Sequence, residues 1–153
     1  MRFMIIVKSC PEFEAERPSA APEELMTEMA AYHDELARAG VLLDGSGLHP
    51  SRTGWRIHYD ATGQRVVDGP FAEAKELIAG YTLIQVRSRD EAMEWSRRFP
   101  NPAGRGQEAV IELRQLMALD EFAPSDALDK FKQLDTRPRE VSCRDNTTTP
   151  APM

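Results

Sequence analysis

Few residues in this chain pair a reactive side chain with a neighbourhood that could use it, and His49 and Asp68 come first among them. His49 lies between Leu48 and Pro50, after Gly45 and Gly47, in a segment able to line a pocket. A neutral imidazole is the usual general base near pH 7. Asp68 opens the run Asp68-Gly69-Pro70-Phe71, and two roles stand open for it. As an acid–base group it would orient or activate an imidazole, with His49 as its partner. As a cap it would accept backbone N–H bonds from a helix begun at Gly69-Pro70, where proline is tolerated and a carboxylate favoured. Lys75 could complement an anionic ligand, or belong with Glu76 to the wet face of a short helix. Tyr81 could place its hydroxyl in the same pocket, or serve as core at a strand start. Phe71 joins Lys75 and Tyr81 as a candidate ligand contact. His33 lies off the apolar stripe of its helix and is expected to be solvated. His58 alternates with Trp55, Ile57 and Tyr59, and is expected to face solvent or the far side of a hairpin.

Other chemistries find no support. No histidine pair stands with a carboxylate at metal-ligand spacing, so no metal is expected. Phosphate loop, dinucleotide fingerprint and nucleophile elbow are all missing, and no cofactor is expected. Cys10 precedes Pro11 in a loop and Cys143 falls in a polar tail. These two cysteines make neither a disulfide framework nor a nucleophile site, and a reduced, cytoplasmic compartment fits them. A formal net charge of −6 argues against nucleic acid as a direct partner. The apolar run Phe3-Met4-Ile5-Ile6-Val7 is too short for a secretory signal, and no stretch of about 18 apolar residues could span a membrane.

The elements that must position these residues follow from periodicity. Residues 2–8 read as a strand with Phe3, Ile5 and Val7 on one face and Met4 and Ile6 on the other. Residues 9–21 read as a loop. Leu25, Met29, Tyr32 and Leu36 form the stripe of a helix over residues 23–39, with Glu23 and Glu24 in its first turn and Gly40 ending it. A strand starts at Val41 and is loosened by Gly45 and Gly47. Residues 55–59 and 64–67 form a half-buried hairpin by their period of two. A short helix from Pro70 to Ala79 and a strand from Tyr81 to Arg87 come next. Ser88 and Glu91 make a capping box, and Ala92, Trp95, Ser96 and Phe99 pack a helix that Pro100 stops. A last strand runs from Ala109 to Leu116. A helix over 124–134, capped by Ser125, precedes a Pro- and Thr-rich tail, 136–153, expected to be disordered. The order predicts an α+β fold, a ferredoxin-like βαβ…βαβ sandwich with an inserted hairpin, over residues 1–122, and a C-terminal extension over 123–153. Such a sheet leaves one apolar face to be covered, and a homodimer would cover it.

Val67-Asp68-Gly69-Pro70-Phe71-Ala72-Glu73-Ala74-Lys75-Glu76 resembles the signature of the DGPF branch of the YCII-related proteins. Ala39-Gly40-Val41-Leu42-Leu43, Gly47-Leu48-His49-Pro50, Gly80-Tyr81 and Ala92-Met93-Glu94-Trp95 are similar to that branch as well. The resemblance implies a ferredoxin-like protomer that forms a dimeric α/β barrel. Some members resemble enzymes acting on lactones and chlorinated lactones, with a His–Asp pair in a pocket at the dimer. Others accompany extracytoplasmic-function sigma factors, and most have no assigned activity. Asp68 is the match for the pocket aspartate. By spacing back from Gly40, the family's histidine position on the first helix falls near Met29, with His33 one turn away. Two functions follow from these residues. One is a small-molecule-binding or regulatory module, possessed of a sigma-factor association or a ligand. The other is a small-molecule enzyme working through His49 and Asp68, and enzyme status stays open between them.

Overall fold

The computed structural model describes residues 1–15 and 23–135. Strand β1 (Arg2–Lys8) is central in a four-stranded antiparallel sheet of order β2-β5-β1-β6, with β2 at Leu42–Gly47, β5 at Ile78–Gln85 and β6 at Ile111–Gln115. Helix α2 (Glu23–Arg38) joins β1 to β2, and α3 (Arg89–Arg97) joins β5 to β6. This mixed α+β order is compatible with a ferredoxin-like sandwich. A separate two-stranded sheet, β3 (Trp55–Asp60) and β4 (Gly63–Asp68), is inserted between β2 and β5.

Alternation along β1 divides the sheet into two faces. Phe3 and Ile5 are buried and stand opposite Ile84 and Thr82 of β5. With Tyr32 and Leu36 of α2, Ala92 of α3, Val41 and Val86 they make the core. Met4 and Ile6 stand opposite Leu83 and Tyr81 on the other face, where these side chains are half-buried. The α2 stripe therefore buries its apolar side against one sheet face only, each fully buried aliphatic side chain contributing about 1.5–3 kcal/mol. Gly40, at φ +70°, ends the helix, and the next N–H, of Val41, bonds the Leu36 carbonyl at 3.0 Å. Ser88 caps α3 by accepting the Glu91 N–H at 3.1 Å.

Three local expectations are corrected. The stretch after β1 holds a four-residue helix, α1 (Pro11–Glu14), with proline at its start. Pro70 begins no helix: residues 74–76 make a single 3-10 turn and β5 already starts at Ile78. The N–H groups there bond elsewhere, Gly69 to the Gly54 carbonyl at 2.9 Å and Phe71 to Ser51 Oγ at 3.1 Å. The Gly69–Pro70 peptide is cis. The hairpin has its expected register but not its expected burial, since every residue of β3 is exposed, Trp55 at 65% and Tyr59 at 75%. A period of two shows which face is apolar, and here no element of the described chain covers it.

Residues 1–116 form one compact unit, and a second begins at Met117. The second contains a 3-10 turn (Leu119–Glu121) and α4 (Asp126–Asp135), where Ser125 Oγ accepts the Leu128 N–H at 3.1 Å. The stretch expected to be a disordered tail, 136–153, lies outside the described residues. No helix among the described residues is long and apolar enough to cross a membrane.

Candidate functional site

The Asp68-Gly69-Pro70-Phe71 loop is built on the 3-10 turn at Ser51–Thr53. Ser51 Oγ accepts the Phe71 N–H and donates to Glu14 Oε2 at 2.5 Å, while the Ser51 N–H donates to the same oxygen at 2.9 Å. Glu14 Oε1 accepts Ser9 Oγ at 3.0 Å. Burial pushes the Glu14 carboxyl up, but the hydrogen bonds from Ser51 and Ser9 together outweigh it and leave the pKa below the ordinary value. Gly69 is fixed by space rather than by φ: a Cβ there would lie 1.9 Å from the Ser51 carbonyl oxygen.

Around this junction lie four of the five sequence candidates. His49 is exposed, two residues before Ser51, and Asp68 is exposed as the last residue of β4, opposite Trp55. Their backbone segments meet through Ser51 and Gly69, yet no hydrogen bond or ion pair joins the two side chains. Asp68 caps no helix, because none follows it. Phe71 is half-buried, with the Arg56 guanidinium 4.0 Å above its ring centroid, a cation–π contact. Lys75 is exposed on its 3-10 turn.

Tyr81, the fifth candidate, belongs to a different place. Its hydroxyl donates to Asp44 Oδ2 at 2.8 Å on the sheet face turned away from the helices. The Gly45 N–H donates to Asp44 Oδ1 at 2.9 Å. A bulge makes this pair. Leu42 stands opposite Ile84 but Asp44 stands opposite Leu83, so the extra residue, Leu43, re-aims Asp44 onto the open face. Sequence reasoning passed over Asp44; its only signal was an Asp-Gly pair inside a strand.

On the helix side of the same strands, His33 departs from the solvated position expected of it. Its Nδ1 lies 2.8 Å from the Met29 carbonyl oxygen, and its Nε2 lies 2.9 Å from Thr82 Oγ1. A carbonyl only accepts, so Nδ1 carries a proton, and in the neutral ring Nε2 accepts from the Thr82 hydroxyl. The ring thus bridges α2 to β5, with Thr82 only 2% exposed. Beside it the Tyr32 hydroxyl donates to the Trp95 carbonyl at 2.9 Å, and burial pushes that phenol up to about 12, aided by Glu35 and opposed by Arg98. Among the described residues no cluster of three His, Cys, Asp or Glu side chains could hold a metal ion.

Comparison with known proteins bears on the whole of this arrangement. The chain is 34% identical over 79 residues to an uncharacterized protein of Rhizobium meliloti (strain 1021). That match takes in 52% of this chain and 64% of the other, so it spans less than two thirds of the relative. Residues 1–120, which include the whole sheet, the hairpin and the Ser51–Gly69 junction, match the YCII-related domain. The chain belongs to the YCII-related family.

Proposed function

We propose that this YCII-related chain, of the DGPF branch, is a small-molecule-binding or regulatory module that works as a cytoplasmic homodimer. The observation that carries the reading is the Tyr81–Asp44 pair, 2.8 Å apart, set among the half-buried apolar side chains of Met4, Ile6 and Leu83. An apolar wall with a few convergent polar groups is the chemistry of a small-molecule site. Asp44 keeps lone pairs beyond those used by Tyr81 and Gly45, which suits a ligand bearing hydroxyl or amine donors. Two such faces paired across a twofold axis would close the site and give a dimeric α/β barrel. In the regulatory form of this reading the module serves a sigma-factor system and the ligand is its signal. A metabolite screen by thermal shift tests it: hits are expected on the wild type and lost in Tyr81→Phe and Asp44→Asn. Hits bound equally by both variants would overturn the site.

A second reading, acid–base catalysis on a lactone or related small molecule by His49 and Asp68, draws on the Ser51–Gly69 contact that brings their segments together. Phe71 and Lys75 would then contact the substrate. Turnover of a lactone panel, abolished by His49→Ala and by Asp68→Asn, is the result this reading requires.

A further inference from the structure

His33 lies directly behind the Asp44–Tyr81 pair, on the opposite face of the same two strands. Gly45 and Thr82 are cross-strand partners, and each immediately follows a member of the pair in sequence. His33 Nε2 faces both partners. It lies 2.9 Å from Thr82 Oγ1, and 3.1 Å from the point where a Cβ on Gly45 would stand. The ring therefore occupies the space that a side chain at position 45 would need, and Gly45 in turn donates its N–H to Asp44 Oδ1. One imidazole seats the strand segment that carries the ligand site, a position to which the two readings above give no work.

Its hydrogen bonds make that seat depend on charge. With Nδ1–H given to the Met29 carbonyl, the neutral ring can only accept at Nε2, and the Thr82 hydroxyl supplies the proton. Adding a proton at Nε2 turns that nitrogen into a donor, so the Thr82 hydroxyl must rotate and find another acceptor. Thr82 is almost fully buried, so water is not at hand, and a buried hydroxyl without a partner is costly. Among the described residues, these groups face the ring. From its own helix Tyr32 packs edge-on at 5.6 Å between centroids, and burial holds its phenol neutral. From β5 and β2 come Thr82 and Gly45, with Asp44 and Tyr81 one residue away across the sheet.

We propose that His33 is a positioning residue for the Asp44–Tyr81 site, relaying its protonation state through Thr82 so that the site is held in register when His33 is neutral and loosened when it is charged. The proposal rests on the reading of that pair as a ligand site, and its test needs no ligand. The ring 13Cζ shift of Tyr81, which reports its hydroxyl's hydrogen bond, is followed by NMR through the histidine range, from about pH 5 to 8. The wild type should show a step in the Tyr81 signal at the midpoint of the His33 titration, and His33→Gln should lack it. In Thr82→Val, or Thr82→Ala if valine disturbs the sheet, His33 should still titrate while the Tyr81 step collapses. No step in the wild type, or an undiminished step in the Thr82 variants, overturns the relay. A barren metabolite screen would strike the ligand reading and leave this coupling standing, so the two failures are distinguishable.

Discussion

Gly69 rests against Ser51 so closely that a Cβ would fall 1.9 Å from the Ser51 carbonyl oxygen and 2.7 Å from its carbon. The glycine of the Asp68-Gly69-Pro70-Phe71 run is thus a packing requirement between two segments of backbone, neither of which can yield as a flexible side chain would. Gly69→Ala should destabilise the fold by about 1–3 kcal/mol or more, as overpacking does. Gly47→Ala is the matched control, since its Cβ would meet nothing closer than the Ala79 carbonyl oxygen at 4.0 Å. Urea unfolding of the two variants checks the contrast, and equal midpoints would show that the loop moves away from Ser51 without cost.

That contact also shows where sequence reasoning stops. The α2 stripe, the alternation in β1 and the Ser88–Glu91 cap were legible because each is decided within a few residues. Gly69-Pro70 read as a helix start because its local chemistry permits one. The donors of Phe71 and Gly69 that would have opened the helix were instead taken by Ser51, 20 residues earlier, and by Gly54, 15 residues earlier, which no local window contains. His33 read as solvated because it lies off the stripe, and its partner Thr82 is 49 residues away. Asp44 was invisible for a further reason: only the bulge at Leu43 decides which face it joins.

The Glu14 latch gives the fold an acid-sensitive joint. Burial raises its pKa, the Ser51 and Ser9 hydrogen bonds lower it by more, and the net folded value is depressed. A depressed carboxylate contributes stability that is fully present above its unfolded pKa, near the ordinary 4.5, and is lost as pH falls through the folded value. Glu14→Gln should therefore flatten part of the stability loss as pH falls below about 4.5 and leave the slope near neutrality unchanged. Urea midpoints measured across the acid range in wild type and variant make the comparison. Identical acid limbs would mean that other carboxylates carry the loss.

The dimer proposed above, formed through the open sheet face, would put Ile6 and Leu83 at the buried interface. Charge placed there should be tolerated by the protomer core, which lies on the other face, and intolerable between two protomers. At micromolar concentration the wild type is expected to sediment as a dimer, and Leu83→Glu and Ile6→Glu each as folded monomers. A wild type that is already monomeric, or variants that remain dimeric, would move the interface away from this face; the exposed side of the hairpin, with Trp55, Ile57, Tyr59 and Val66, is then the next surface to mutate.

Asp68 separates the catalytic reading from a structural one more cleanly than any other residue. With no helix behind it, Asp68 has no cap bond to lose, so Asp68→Ala should change stability by no more than about 0.5 kcal/mol, the usual range for an exposed site, rather than the 0.5–2 kcal/mol of a cap. If Asp68 serves as the partner of His49, its negative charge must matter to turnover. Asp68→Asn keeps the shape and removes the charge, so on the catalytic reading turnover of a lactone panel should be lost while stability is kept. His58→Ala, at an exposed site on β3, is the control that should leave turnover unchanged. Turnover undiminished in Asp68→Asn, or absent from the wild type, would dissolve the pair, and with it the acid–base reading, leaving the Asp44–Tyr81 face as the place to look for a ligand.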